Sequence, residues 1–292
     1  MQCTNCKSEI LATAKFCPEC GNKVEKKGKT CPNRKCERED LPQESLFCPD
    51  CGVKLNMAET SFVNFSETVN GISYEMIAVK GGSFLMGSTI NELGRSNDEI
   101  QHLVTLSNFY VGKYAVTQDL WQLIMGNNPS SFKGYNLPVE TISWDDCQFF
   151  LQRLNQLTGK RYSLPNEAQW EFAARGGTQS KGYIYAGSNN VDEVAEYKGN
   201  NNNTTKPVGG KKPNELGLHD MSGNLWEWCQ DWKSVYSTVP QSNPSGSSSG
   251  SLRVRRGGSW GNEGQRCRAA GRGYDSPSRR NYAIGFRVVL DS

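Results

Sequence analysis

Apolar residues along this chain follow two periods, and the change from one to the other marks the elements. Residues 74–80 and 83–87 are short runs of strand-forming apolar residues on either side of Gly81-Gly82, which predicts two short strands about a glycine turn. Residues 103–114 alternate through Val104, Leu106 and Val111 and predict further strand. The period then lengthens. Thr117 is placed to cap a helix reaching Met125, with Asp119 in its first turn, where a carboxylate suits the helix dipole. A longer helix is predicted from Ser143 to Gly159, with Cys147, Phe150, Leu151, Leu154 and Leu157 on one apolar face, and another from Asn166 to Arg175, stopped by Gly176-Gly177. Beyond that the pattern fades: 177–215 is rich in Gly, Asn and Lys, and 236–251 reads as a flexible surface loop. Helices, short strands and long irregular segments in one body predict an α+β fold.

The C-terminal stretch begins and ends as strand-like text, at 252–255 and 284–290, while its middle is rich in Gly, Ser, Asn and Arg without an apolar period. This predicts a loop surface over 257–287 held between two core strands, the kind of segment that carries binding or chemistry.

Composition narrows the classes. The chain has 292 residues and a net charge of only +3, with acids and bases mixed, so no nucleic-acid partner is expected. No apolar run is long enough to span a bilayer and no leader pattern opens the chain, which predicts a soluble cytoplasmic protein without a membrane partner. The arginines concentrated near the C-terminus are expected to pair with buried carboxylates.

Eight of the eleven cysteines lie before residue 52. Cys3, Cys6, Cys17 and Cys20 form one set of two close pairs, and Cys31, Cys36, Cys48 and Cys51 a second. Each set supplies four thiolates for a closed tetrahedral site, so two structural zinc ions are expected, in ribbons over 1–26 and 27–56. Spacing and the CPxCG turns resemble double zinc-ribbon modules, which implies an adaptor role toward a protein partner. Residues 57–72 read as a linker with weak strand character, and 73–292 as the main domain.

Seven segments in order, among them GGSFLMG (81–87), LPNEAQWEFAAR (164–175), DMSGNLWEW (220–228), RGGSW (256–260) and GFR (285–287), resemble the sulfatase-modifying-factor, or formylglycine-generating-enzyme, family. The resemblance implies a C-type-lectin-like fold with long irregular segments. It also implies a calcium site at Asp220, Gly223, Leu225 and Glu227, a set with the hard oxygen ligands that calcium takes; the alternative for Asp220 and Glu227 is hydrogen bonding to the arginines. The family's oxidase holds copper with two C-terminal cysteines. Here Asn262 stands at the first of those positions and the segment near Gln265 at the second, so no copper is expected, although Cys229 and Cys267 remain as thiols. The three-histidine iron site of another branch has no counterpart in a chain with only His102 and His219.

The last forty residues also resemble the variable region of proteins diversified by retroelements, in which miscopied template adenines turn Asn codons into Gly, Tyr, Asp, Ser or Ala or leave them Asn. Positions that obey this pattern are Gly261, Gly264, Gly271, Gly273, Tyr274, Asp275, Ser276, Ser278, Asn281, Tyr282 and Ala283. Trp260, Cys267, Arg268, Arg272, Pro277, Arg280 and Phe286 would form the framework, and Glu263 and Gln265 would be fixed. The resemblance implies a non-catalytic protein whose C-terminal loop binds a ligand, protein or otherwise. Two alternatives stand beside it: an oxidase of the formylglycine-generating type acting on a protein cysteine, and an interaction domain without diversity.

Overall fold

A computed structural model describes Cys36, residues 47–53 and residues 62–292. The chain divides into two compact units, Met1–Phe62 and Val63–Ser292. In the first, Cys48 and Gly52 close a tight knuckle: the Cys48 N–H donates to Val53 O, the Gly52 N–H donates to Cys48 O, and Gly52 takes a φ of 67°.

The second unit opens with β1 (Phe65–Val69) and β2 (Ile72–Val79), an antiparallel hairpin turned by Asn70 and Gly71 at φ 45° and 89°. Two positive-φ residues between paired strands are what a right-twisted hairpin requires. Part of the segment expected as linker is therefore a sheet strand. β3 (Gly82–Met86) does not fold back on β2. It pairs with β4 (His102–Leu106), while β2 pairs with β5 (Phe109–Gly112), so the Gly81-Gly82 turn is a crossing between sheets rather than a hairpin. Close passage explains the glycine, since a Cβ on Gly81 would lie 2.4 Å from Leu106 O.

Helix α1 (Gln118–Met125) is capped by Thr117, and α2 (Trp144–Thr158) by a Ser143/Asp146 capping box and by Gly159 in the left-handed conformation. Cys147, Phe150, Leu151 and Leu154 are buried on α2, but Leu157, expected with them, is exposed. It sits one residue before the end of the helix, and the core has already turned away. After β6 (Tyr162–Ser163) comes α3 (Glu167–Ala174), every residue of which is buried. That explains its weak amphipathic pattern.

The irregular stretch holds a one-turn α4 (Val191–Val194) and β7 (Ala195–Glu196), which pairs with β8 (Ser222–Gly223). The tryptophan-rich β9 (Trp226–Trp232) follows. The supposedly flexible 236–251 loop is partly tied down, because β10 (Gln241–Ser242) runs parallel to β4 and Asn243 exchanges hydrogen bonds with Ser107. β11 (Arg253–Arg256), β12 (Arg272–Asp275), β13 (Ile284–Gly285) and β14 (Val289–Asp291) complete the chain.

Among the described residues the sheets run β1-β2-β5-β14-β6, β10-β4-β3, β12-β11-β9-β13 and β7-β8. One core cluster gathers α1, α2 and Phe286, with Trp121 stacked on Phe150 at 5.3 Å and Phe286 edge-on to both. The other gathers α3 with β3, β4 and β9. The C-terminal stretch is thus strand at both ends, as expected, and also in its middle, where β12 pairs with β11 along its whole length.

Candidate ligand groove

The framework of the C-terminal surface is made of arginines in ion pairs. Arg287 donates from Nε and Nη2 to the two oxygens of Glu227, each at 2.7 Å. Arg272 grips Glu167 in the same way at 2.7 and 2.9 Å, and Arg268 grips Glu99 at 2.7 and 2.9 Å while also reaching Glu92. Arg256 joins Glu167 and Glu171 in the interior, and Arg280 holds Asp146 at the start of α2. Fork-to-carboxylate pairs fix both position and orientation. Burial raises and the Arg272 and Arg256 charges lower the proton affinity of Glu167, and its carboxyl ends below the usual range. The pairing expected for these arginines is what the structure holds.

Between these fixed points lie two adjoining clefts of about 340 and 390 Å³ that share Trp226, Arg255 and Asn262. One is walled by Trp260, Gly261, Asn281, Tyr282 and Ala283, the other by Gly273 and Tyr274. Trp260 stacks on Tyr282 at 5.6 Å and Phe132 meets both edge-on, so this wall is a rigid aromatic cluster. Lys233 Nζ lies 3.7 Å over the Tyr274 ring.

The predicted ligand residues divide accordingly. Gly261, Gly273, Tyr274, Asn281, Tyr282 and Ala283 line the groove. Gly264 packs on Val191 and Tyr197, Asp275 lies beside Arg255, and Ser276 and Ser278 bond each other on the rim. Gly271 is buried, and a Cβ there would come within 3.0 Å of Arg266 O, so it belongs to the framework and not to the surface. Trp226, Arg255, Lys198 and Asp98 also line the groove, beyond the residues expected there. A signal for Arg255 existed: on β11, Val254 and Arg256 are buried, so the period of two sends Arg253 and Arg255 outward.

The expected calcium set lies in the interior, and both of its carboxylates have protein partners. Both oxygens of Glu227 bind Arg287, and Oε2 also accepts from Trp170 Nε1 at 2.7 Å. Asp220 instead accepts the Gly209 N–H at 2.8 Å, and burial pushes its carboxyl up to about 6. A Cβ on Gly223 would lie 2.4 Å from Glu196 O, so this turn is packed against β7. Cys229 and Cys267 are buried outside the groove lining, with burial pushing the Cys267 thiol up to about 12 and the Cys229 thiol upward as well.

In the first unit, Cys36, Cys48 and Cys51 bring their sulfurs within 4.8 Å of one another, with 3.6 Å between the first two. Such a cluster suits a thiolate-bound zinc ion. Cys31, the fourth expected ligand, and Cys3, Cys6, Cys17 and Cys20 of the other set lie outside the described residues. No helix among the described residues is long and apolar enough to cross a membrane.

Residues 3–52 match the double zinc ribbon. The chaperone protein LppX of Paenibacillus barcinonensis is 34% identical over 242 residues, covering 65% of this chain and 79% of that one. The formylglycine-generating enzyme of Mus musculus is 30% identical over 252 residues, covering 80% of this chain, which spans 64% of the mouse protein. The solved structure of Treponema denticola variable protein 1 is 29% identical with a TM-score of 0.74, covering 79% of this chain and 99% of that chain. Mixed helices and strands in this arrangement are the formylglycine-generating-enzyme fold, similar to the C-type-lectin-like fold of variable proteins. Residues 63–292 match the sulfatase-modifying factor enzyme 1-like domain, and the chain belongs to that family.

Proposed function

We propose that this is a ligand-recognition protein whose C-terminal groove varies in sequence while its scaffold stays fixed, as in the variable proteins of diversity-generating retroelements. The observation that carries the reading is the division of labour in the C-terminal forty residues. The arginines 268, 272 and 287 are locked to carboxylates, whereas Gly261, Tyr274, Asn281, Tyr282 and Ala283 face open clefts. Side chains of the second group can change without touching the first, and Tyr beside Gly and Asn is the chemistry of adaptable binding loops. Likeness to the Treponema variable protein supports the same reading. The ribbons, each closed on one structural zinc ion, serve as the adaptor that joins the groove to a cytoplasmic protein partner.

Deep sequencing of the 3′ end of the gene across one lineage, with a search of its flanks for a near-copy, tests the proposal. Substitutions confined to the groove positions are expected. An invariant gene without a neighbouring copy overturns it. Kinship with formylglycine-generating enzymes favours a second reading, oxidation of a protein cysteine; turnover of a cysteine peptide with copper and oxygen, lost in Cys267→Ala or Cys229→Ala, would establish it.

A further inference from the structure

Arg255 lines the groove without a fork-to-carboxylate pair, and, like Arg253 and Arg256, it has a buried Nε with no acceptor. The nearest carboxylate oxygen, Asp275 Oδ2, stands 3.7 Å from its Nη2, beyond hydrogen-bond range. The side chain is only 22% exposed, with the guanidinium carbon 4.8 Å from the centre of the Trp226 ring. Burial pulls its proton affinity below the usual arginine range; the Asp275 charge opposes this, and the weaker effects of Arg279 and Arg266 add to it. A guanidinium so placed carries donors that neither protein nor bulk water satisfies fully, and buried donors without acceptors are rare. It lines both clefts, at the point where they join.

We propose that Arg255 is a constant anchor for a carboxylate, a single Asp or Glu side chain on a partner protein, held beside Trp226 while the surrounding variable positions read the flanking residues. This rests on the reading of the groove as a ligand surface and names what enters it. Charge favours an acid: Arg266 and Arg279 add to the local positive field, and the other carboxylates near the groove, Asp98 and Glu263, are paired with Arg272 and Lys198. Geometry favours a single carboxylate over a nucleic-acid backbone, since Asp275 and Asp98 at the groove would repel a run of phosphates. Gly273 sets the fit from below: a Cβ there would lie 3.0 Å from the Trp226 ring and 3.1 Å from Arg255 Cγ, so a larger residue would push the anchor toward the opening.

The test is titration of the full chain with the peptide acetyl-Gly-Gly-Asp-Tyr-Gly-Gly-amide, its Asn counterpart and inorganic phosphate, following the Arg255 Nε–Hε resonance. The Asp peptide should shift that resonance saturably and bind about tenfold more tightly than the Asn peptide, the ratio expected for one hydrogen bond to a charged group. Arg255→Met should remove the difference between the peptides, and Arg255→Lys should restore part of it, each with an unchanged far-ultraviolet circular dichroism spectrum. Equal responses to the two peptides, none included, overturn the proposal, as does a difference that survives in Arg255→Met. Tighter binding of phosphate than of the Asp peptide overturns the carboxylate assignment. Sequencing of the gene tests the underlying reading separately, because a varying groove without an acid preference would keep the ligand surface and discard the anchor.

Discussion

Glu167 is the residue on which the groove's framework leans most heavily, so Glu167→Gln is the sharpest perturbation of it. Its carboxylate accepts Arg272 Nε at 2.7 Å and Nη2 at 2.9 Å, Arg256 Nη1 at 3.3 Å and the Tyr236 hydroxyl at 2.9 Å, all in the interior. The amide keeps the shape but removes the charge. Arg256 retains Glu171, whereas Arg272 is left with Asp98 at 3.4 Å. Breaking a buried pair by removing one partner destabilises by about 3–5 kcal/mol. For a domain of this size that lowers the melting temperature by roughly 6–20 °C. Because the folded carboxyl titrates below its unfolded value, its contribution is present above the unfolded pKa and is lost as pH falls through the folded one. The difference between wild type and Glu167→Gln should therefore be full at neutral pH and shrink in acid. Urea unfolding at several pH values measures this, and Glu167→Gln with Arg272→Met should recover part of the loss. A single variant within about 1 kcal/mol of wild type at neutral pH, or a double variant no better than the single, would refute the reasoning.

Asp231 runs the opposite way. Burial and the Glu167 charge push its carboxyl up to about 7, so it opposes folding increasingly as pH rises from the unfolded value toward that point, and Asp231→Asn should gain stability at pH 8 relative to pH 5, read by the same unfolding curves. Gly285→Ala would place a Cβ 2.5 Å from Val139 O and 2.8 Å from Leu225, and a loss of about 2 kcal/mol or more is expected in chemical denaturation. Zinc chelation should expose Met1–Phe62 to limited proteolysis and leave Val63–Ser292 resistant, followed by mass spectrometry of the fragments.

Local chemistry carried much of the fold. Ser143 and Gly159 bracket α2 as their types demand, because a capping side chain and a left-handed glycine act within one turn. Asn70-Gly71 was equally local, and it marks a hairpin in a segment expected as linker. Gly81-Gly82 shows the limit: its turn joins two sheets, and only the distant Leu106 explains why a side chain is excluded. The cysteine spacing announced the thiol cluster, since metal ligands recur at fixed short intervals. Long-range pairing was hidden for the converse reason, because the short spacing of Asp220 and Glu227 says nothing of Arg287, which holds Glu227 from sixty residues away. Half of the groove was legible as a Gly, Ser, Asn and Tyr surface. Trp226, Lys198 and Asp98 were not, because three separate segments bring them there and no single window of sequence contains that meeting.

The central claim is that the arginine framework holds the groove while the groove residues are free to change. Its most direct measurement is a displayed library of the full chain randomised at Gly261, Tyr274, Asn281, Tyr282 and Ala283, scored for folding and for capture of defined acidic peptides. Most members should fold and melt within about 10 °C of the parent, as expected for five surface substitutions of about 0.5 kcal/mol each, and different members should select different peptides. Widespread unfolding, or folded members that select no peptide at all, would contradict the account.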